Sequence, residues 1–374
     1  MRAETVFWLA VAVAAYVYAG YPLLLAGLRL AIRRPVRKAP IEPSVSLLVA
    51  AYNEADVIEA KIRNALALDY PADRLEIVIA SDGSTDQTAE FAQRLADGER
   101  VRVFVHPTNR GKLAVLNEAV PLLRGEVVAF SDASSMLARD SLRRLVESFA
   151  DATVGAVSGV YRVRRHDEAQ LGRQEDFYWR YETFLKKQEA ALDSVLGAHG
   201  SLYAIRKSLY PFPRPGAIND DYIIPVRVLG QGYRVAYEPG AVAEEAAREM
   251  GGFSRRVRIM TGNVQQLREL GTLLRPPRWL ALLFFVSHKA GRLVVPLAMI
   301  AMAVANVFLL EFRFYQSTLL AQIAFYALVL LGAVWEIRPQ VLRLPYYFCM
   351  INAAAFLGMY HALRGRRSLA WKRE

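Results

Sequence analysis

Several short stretches of this chain bring carboxylates, amides and cations together in ways that could do chemistry. They are Ala51-Tyr52-Asn53-Glu54, Ser81-Asp82-Gly83-Ser84-Thr85-Asp86, Asn109-Arg110-Gly111-Lys112 and Ser131-Asp132-Ala133-Ser134. A nucleotide site needs such a set: acceptors for base N–H groups, and cations or metal ligands for phosphates. Further on, Asn219-Asp220-Asp221 places two carboxylates side by side. Each disfavours ionisation of the other. Taken singly, every piece has a plainer reading. Ser84 with Gln87 fits a capping box, and Asn53 fits an N-cap. Asp132 could be a turn residue, Lys112 a solvated lysine opening a helix, and His106 and His199 ordinary histidines. Their joint occurrence is harder to explain that way.

The elements that must position these residues follow from periodicity. Short β-branched runs at Val45–Val49, Leu75–Ala80, Val101–Val105 and Val127–Phe130 alternate with helical patterns. The helical stretches are Ala55–Leu68, Thr85–Ala96, Leu113–Leu123 and Asp140–Phe149. Strands alternating with such helices predict βαβ units and a mostly parallel α/β sheet. Ligands of these sheets bind beyond the carboxyl ends of the strands, where the four stretches fall. No Gly-x-Gly-x-x-Gly follows the first strand, and there is no Walker Gly-Lys-Ser/Thr loop, so dinucleotide and P-loop chemistry lose support.

The ends of the chain have a different character. Hydrophobic residues make up 54% of 374 positions, and 47 Lys+Arg against 36 Asp+Glu give a formal net charge of +11. Mean hydropathy is +0.16. These values exclude a disordered or collagen-like chain. One cysteine, Cys349, excludes an internal disulfide framework and a cysteine-rich zinc site. No charge interrupts Thr5–Leu28, which is long enough to span a bilayer and carries Trp8, Tyr16, Tyr18 and Tyr21. Arg29, Arg33, Arg34, Arg37 and Lys38 follow it. The positive-inside rule therefore places the N-terminus outside and the next segment in the cytoplasm. Leu293–Leu310, Phe314–Trp335 and Leu344–Leu363 are further apolar runs. Trp279–Ser287 is too short to span and reads as an amphipathic helix in the interface. If all three C-terminal runs cross, the basic tail from Arg364 to Arg373 ends outside, against the same rule. Three spans in total are therefore expected, with the last run open between spanning, re-entrant and interfacial. The basic residues gather at membrane flanks and in Arg255–Arg258, which argues against nucleic-acid binding. The expected organisation is an N-terminal transmembrane helix over 1–30, a cytoplasmic catalytic domain over 40–272, an interface helix over 276–292 and a C-terminal membrane region over 293–374.

In this order, the motifs resemble the membrane-embedded branch of glycosyltransferase family 2, the GT-A fold group that includes cellulose, chitin and poly-N-acetylglucosamine synthases. The resemblance covers nearly the whole chain. It implies a GT-A, Rossmann-like α/β catalytic domain with α-helical transmembrane segments in the inner membrane. It also implies inverting transfer of a sugar from a nucleotide-sugar, expected to be a UDP-sugar, to a lipid, lipid-linked or saccharide acceptor. By the same resemblance Tyr52, Glu54, Asp82, Lys112, Asp132 and Arg256 face the nucleotide-sugar, and Asp132 holds Mg²⁺ or Mn²⁺. Asp221 falls on the family's base, with Asp220 beside it and Arg258 on the leaving group, while His199 and Gly200 line the acceptor. Three departures stand out. Ser81 replaces an aspartate of the base and ribose motif. Ser134 replaces the second metal aspartate. Arg255 and Ile259 replace the Gln and Trp of the Gln-x-x-Arg-Trp motif. Ile259 offers no aromatic face to a sugar, which favours a non-processive enzyme over a processive polysaccharide synthase. A catalytically degenerate membrane-bound binding or assembly subunit is the further alternative.

Overall fold

The computed structural model of the chain describes residues 2–164, 170–246, 253–274, 278–335 and 340–364. α1 (Ala3–Ala15) and α2 (Tyr21–Ala31) are joined through a π-helical turn at Tyr16–Gly20 into one apolar helix of 29 residues. The catalytic-domain candidate follows. Strands β1 (Val45–Ala51), β2 (Leu75–Asp82), β3 (Val101–His106) and β4 (Val127–Phe130) pair in parallel in the order β3-β2-β1-β4. β1, β2 and β4 are buried along their whole length, the continuous apolar pattern of a sheet covered on both faces. Helices α3 (Ala55–Leu66), α4 (Thr88–Arg94) and α5 (Lys112–Leu122) make the crossovers.

Beyond β4 the sheet becomes mixed. β5 (Met136–Leu137), α6 (Ser141–Glu147), β6 (Val154–Arg164), α7 (Gln170–Leu192), β7 (Tyr203–Arg206), α8 (Asp220–Gly230) and β8 (Arg234–Ala246) follow in sequence. The eight strands lie in the order β3-β2-β1-β4-β7-β6-β8-β5. β7 runs antiparallel to both β4 and β6, so the parallel half expected from periodicity covers only part of the sheet. One buried cluster, with α3 and α6, covers one face. The other, with α5 and α8, includes Tyr21, Leu25, Phe284 and Phe285. The domain core is thereby continuous with the feet of the apolar helices.

After α9 (Phe253–Gln266) and α10 (Leu270–Leu274), the chain forms α11 (Trp279–Phe284), a π segment Phe285–Ala290, α12 (Gly291–Val307), α13 (Arg313–Val334) and α14 (Gln340–Leu363). Within the described part of the 276–292 stretch, no break separates an interface helix from a span. Trp279–Val307 is one helix of 29 residues, because the π segment absorbs the polar Ser287-His288-Lys289 without ending it. Among the described residues three helices are long and apolar enough to cross a membrane: Ala3–Ala31, Trp279–Val307 and Arg313–Val334. α14 packs along α9 and α13.

Candidate active site

The loops at the carboxyl ends of the parallel strands interlock. Asn53, just past β1, takes a left-handed backbone conformation, and its Oδ1 accepts the Thr85 N–H at 2.8 Å. The Asn53 N–H donates to Ser84 Oγ at 3.2 Å and the Glu54 N–H to Thr88 Oγ1 at 2.7 Å. Asp86 accepts the Ala55 N–H at 3.2 Å and the Thr88 N–H at 3.0 Å, so it serves the first turns of α3 and α4 together. The capping-box reading of Ser84 and Gln87 is corrected here. α4 starts at Thr88, and the Ser84 hydroxyl is turned to Asn53 and Ser81 instead. Tyr52 stands half-buried beside this junction.

Asp82 is fully buried at the end of β2, and its two oxygens accept the Arg110 and Gly111 N–H groups at 2.9 and 2.8 Å. Gly83 next to it has φ +65°, and a Cβ there would lie 2.3 Å from the Thr108–Asn109 backbone, so only glycine permits this approach. The Asp82 carboxylate thereby fixes the loop that ends in Lys112, the first residue of α5.

Lys112 is the centre of the site. Its Nζ lies 2.8 Å from Asp132 Oδ1 and 3.2 Å from Asp220 Oδ1. Burial opposes its charge, but Asp132 and Asp220 hold the ammonium above its ordinary range. Burial also pushes the Asp132 carboxyl up. Lys112, then Arg255 and Lys61, more than reverse this and hold it below the usual range. Asp220 is buried, held by Lys112 and by the Tyr203 hydroxyl at 3.1 Å. Asp221 Oδ2 accepts the Gly200 N–H at 3.1 Å. Burial, then Asp220, push Asp221 up to about 6, against the pull of Lys112 and Lys186. A Cβ on Gly200 would come within 3.2 Å of Asp132 Oδ2 and 3.5 Å of Asp221 Oδ2, so the two carboxylates converge on this bare backbone. His199 is buried, its N–H on Ser158 Oγ at 3.2 Å. Burial, then Lys186, hold its imidazole well below the ordinary range and hence neutral.

The structure thus brings Lys112, Asp132, Gly200, Asp220 and Asp221 together, with Asp82 behind Lys112. Arg256 stands apart from them: its guanidinium lies 5.1 Å over the Tyr347 ring of α14, with the Tyr347 hydroxyl 3.3 Å away. Arg258 is exposed on α9. Arg255 of the same helix adds its charge to those that hold the Asp132 carboxyl below its usual range. Two further residues were not singled out from the sequence. Glu245, buried near the end of β8, accepts the Ser134 hydroxyl at 2.6 Å. A second carboxylate therefore stands where Ser134 replaces an aspartate. Lys61 of α3 is fully buried beneath the 131–135 loop and donates to Ser131 Oγ at 2.7 Å. Burial pulls its pKa down to about 7 against Asp132 and Glu245. The sequence signals were the Glu244-Glu245 pair and a lysine in the apolar phase of a helix.

The family model for glycosyl transferase family 2 matches residues 46–211. Poly-beta-1,6-N-acetyl-D-glucosamine synthase of Staphylococcus aureus (strain MSSA476) is 29% identical over 229 residues, 60% of this chain and 55% of its own length. The chain thus matches a little over half the length of these synthases. Beta-monoglucosyldiacylglycerol synthase of Nostoc sp. is 38% identical over 175 residues, 44% of this chain and 36% of its own. A mannosyltransferase from Pyrobaculum calidifontis, solved in complex with GDP-Man and Mn²⁺, superposes with a TM-score of 0.75 at 27% identity, covering 96% of this chain and 99% of that one. Residues 46–211 are a glycosyltransferase family 2 domain, built on the GT-A fold and set between apolar helices long enough to cross a membrane.

Proposed function

We propose that the protein is a membrane-bound inverting glycosyltransferase that moves a sugar from a nucleoside-diphosphate sugar to a hydroxyl of a lipid or lipid-linked acceptor. The observation that carries this reading is the convergence of Asp132 and Asp221 on Gly200, with Lys112 bridging Asp132 and Asp220. Asp221 takes the acceptor proton as the hydroxyl oxygen attacks the anomeric carbon, and the bond to the diphosphate breaks on the opposite side. Burial holds the carboxyl up to about 6, which suits a base working near neutral pH. Asp220, fixed by Tyr203 and Lys112, shapes the base without replacing it. Lys112 and Arg255 place positive charge where the leaving diphosphate develops negative charge.

Ser134 donates to Glu245 and Asp132 lies two residues before it, so the two carboxylates and the hydroxyl, with phosphates to complete the shell, are donors of the kind a divalent cation takes. Asp132 and Glu245 would hold Mg²⁺ or Mn²⁺ there, and the ion would supply charge neutralisation for the diphosphate. Tyr52 would carry the base by stacking, with Glu54 close by. The named relatives act in both polysaccharide and glycolipid synthesis, and Ile259, 39% exposed on α9, favours the single-transfer reading.

A screen of UDP- and GDP-sugars with the full-length protein in membranes, read by mass analysis of the lipid extract, tests the reading. One sugar added to a lipid-soluble acceptor is the expected product. A long polymer would overturn the single-transfer reading, and nucleotide binding without turnover of any donor would leave a binding subunit.

A further inference from the structure

α7 carries three charged residues that the proposed chemistry does not use. Glu182, Lys186 and Glu189 are spaced to share one helix face, and all three are buried. Burying charges is costly unless each is partnered, so their partners show what the face is for. Glu182 is paired with Arg292 and lies 3.3 Å from His288 Nε2. Glu189 accepts the Tyr21 hydroxyl at 2.7 Å and meets His288 Nδ1 at 2.7 Å. Glu189 is thus held by both apolar helices that flank the domain, and Glu182 by the second of them. Arg292 and His288 hold the Glu182 carboxyl well below its usual range despite burial.

Lys186, between them, reaches the protein's own backbone instead of the apolar helices. Its Nζ is 3.4 Å from the carbonyl oxygens of both Gly197 and Ala198. That turn is stitched to Asp221 twice: the Ala198 N–H donates to the Asp221 carbonyl at 2.7 Å and the Gly200 N–H to Asp221 Oδ2 at 3.1 Å. A neutral amide could satisfy two carbonyls at lower desolvation cost than an ammonium. The charge adds attraction toward the nearby Asp221, in surroundings that also include Glu182, Glu189, Lys289 and His199.

We propose that Lys186 is a positioning residue of the transferase site, which holds the Gly197–Gly200 turn against Asp221 and is itself fixed in register by the membrane-flanking clamp on Glu182 and Glu189. This rests on the reading of Asp221 as the base. It makes α7 the element through which the apolar helices set the geometry at the reacting centre.

The test uses the full chain in lipid nanodiscs and the variants Lys186→Met, Lys186→Arg and Glu182→Gln. Hydrogen exchange at the Ala198 and Gly200 amides should speed up by about tenfold in Lys186→Met, the effect of losing hydrogen bonds that hold a local turn. Turnover should fall at least about tenfold while the donor KM and the affinity for UDP and GDP stay put, as expected for an interaction felt only in the transition state. Lys186→Arg should recover part of the rate, and Glu182→Gln should move both readouts the same way by less. Unchanged exchange at 197–200 in Lys186→Met overturns the proposal. So does a loss of protection spread over the β1–β4 sheet, or a fall in nucleotide affinity equal to the fall in rate. Asp221→Asn is run beside these. If it keeps its turnover, the base assignment fails, while the exchange data still decide whether Lys186 holds the turn.

Discussion

Asp220 and Asp221 are neighbours in the chain but meet different partners. Asp220 is bound by Lys112 and Tyr203, whereas Asp221 takes one backbone N–H and faces the Gly200 gap. Asp221→Asn keeps the shape and the Gly200 contact but cannot take a proton. It should lower turnover by roughly 10²–10⁴-fold with UDP or GDP affinity nearly unchanged. Asp220→Asn should do less harm, and the reverse ranking would move the base by one residue. The sign of the pH effect follows from burial. A base acts when deprotonated, and Asp221 is held up to about 6, so kcat/KM should fall as pH drops through that value. Because the folded state raises this pKa, the ionised carboxylate weakens the fold as pH climbs from the unfolded value toward 6 and above. Asp221→Asn should therefore unfold at an equal or higher temperature at pH 8, measured by scanning fluorimetry. At the metal candidate, Asp132→Asn should abolish Mn²⁺-stimulated turnover. Glu245→Gln should weaken Mn²⁺ binding in the presence of UDP or GDP by about tenfold, the scale for loss of a supporting ligand interaction. Ser134→Asp sets a second carboxylate against Glu245, so it should lower stability without metal and recover it with Mn²⁺. Full activity in excess chelator, indifferent to Asp132→Asn, would remove the metal from the mechanism.

At the scale of elements, the β2–α5 junction shows how a buried charge can serve geometry. Asp82→Ala removes the acceptor of the Arg110 and Gly111 N–H groups, which are only partly buried, at a net cost of about 0.5–1.5 kcal/mol for each hydrogen bond lost. The loop carrying Lys112 should loosen, with weaker nucleotide affinity and faster exchange at residues 109–112. Unchanged affinity would show that Lys112 is held by its carboxylate partners alone. The four parallel strands, with their helices, were legible because β-branched runs and helical periodicity alternate cleanly there. The mixed half of the sheet was not, because β6, β7 and β8 derive their pairing from one another across long separations. No local period announces that β7 will run antiparallel between β4 and β6. The capping box failed for a related reason: Ser84 found a better partner in Asn53, 31 residues away.

For the whole molecule, the arrangement of α14 bears on topology. α14 lies along α9, with Tyr347 under Arg256, and we take α9 as part of the catalytic domain. If Trp279–Val307 exits and Arg313–Val334 returns, α14 lies on the domain side, and the basic tail agrees with the positive-inside rule. We therefore expect the N-terminus outside, the domain in the cytoplasm and α14 held against it. In a Cys349→Ser background, an impermeant thiol reagent on intact cells should label a cysteine placed at Ala3 and spare one at Gly98. Labelling at Gly98 would overturn the cytoplasmic placement.

The sequence by itself determined the apolar helices, the parallel strands and the residue types at their ends, because hydrophobic length and period are local properties. It also placed Asp82, Lys112 and Asp132 at the ends of successive strands, and the family resemblance added Asp220 and Asp221. Only the tertiary structure decided that Asp82 serves the Lys112 loop, that Arg256 turns to α14, and that Glu245 meets Ser134. These are contacts between strands and helices far apart in the chain. The direction a side chain takes there is set by packing across the whole sheet, which no window of residues contains.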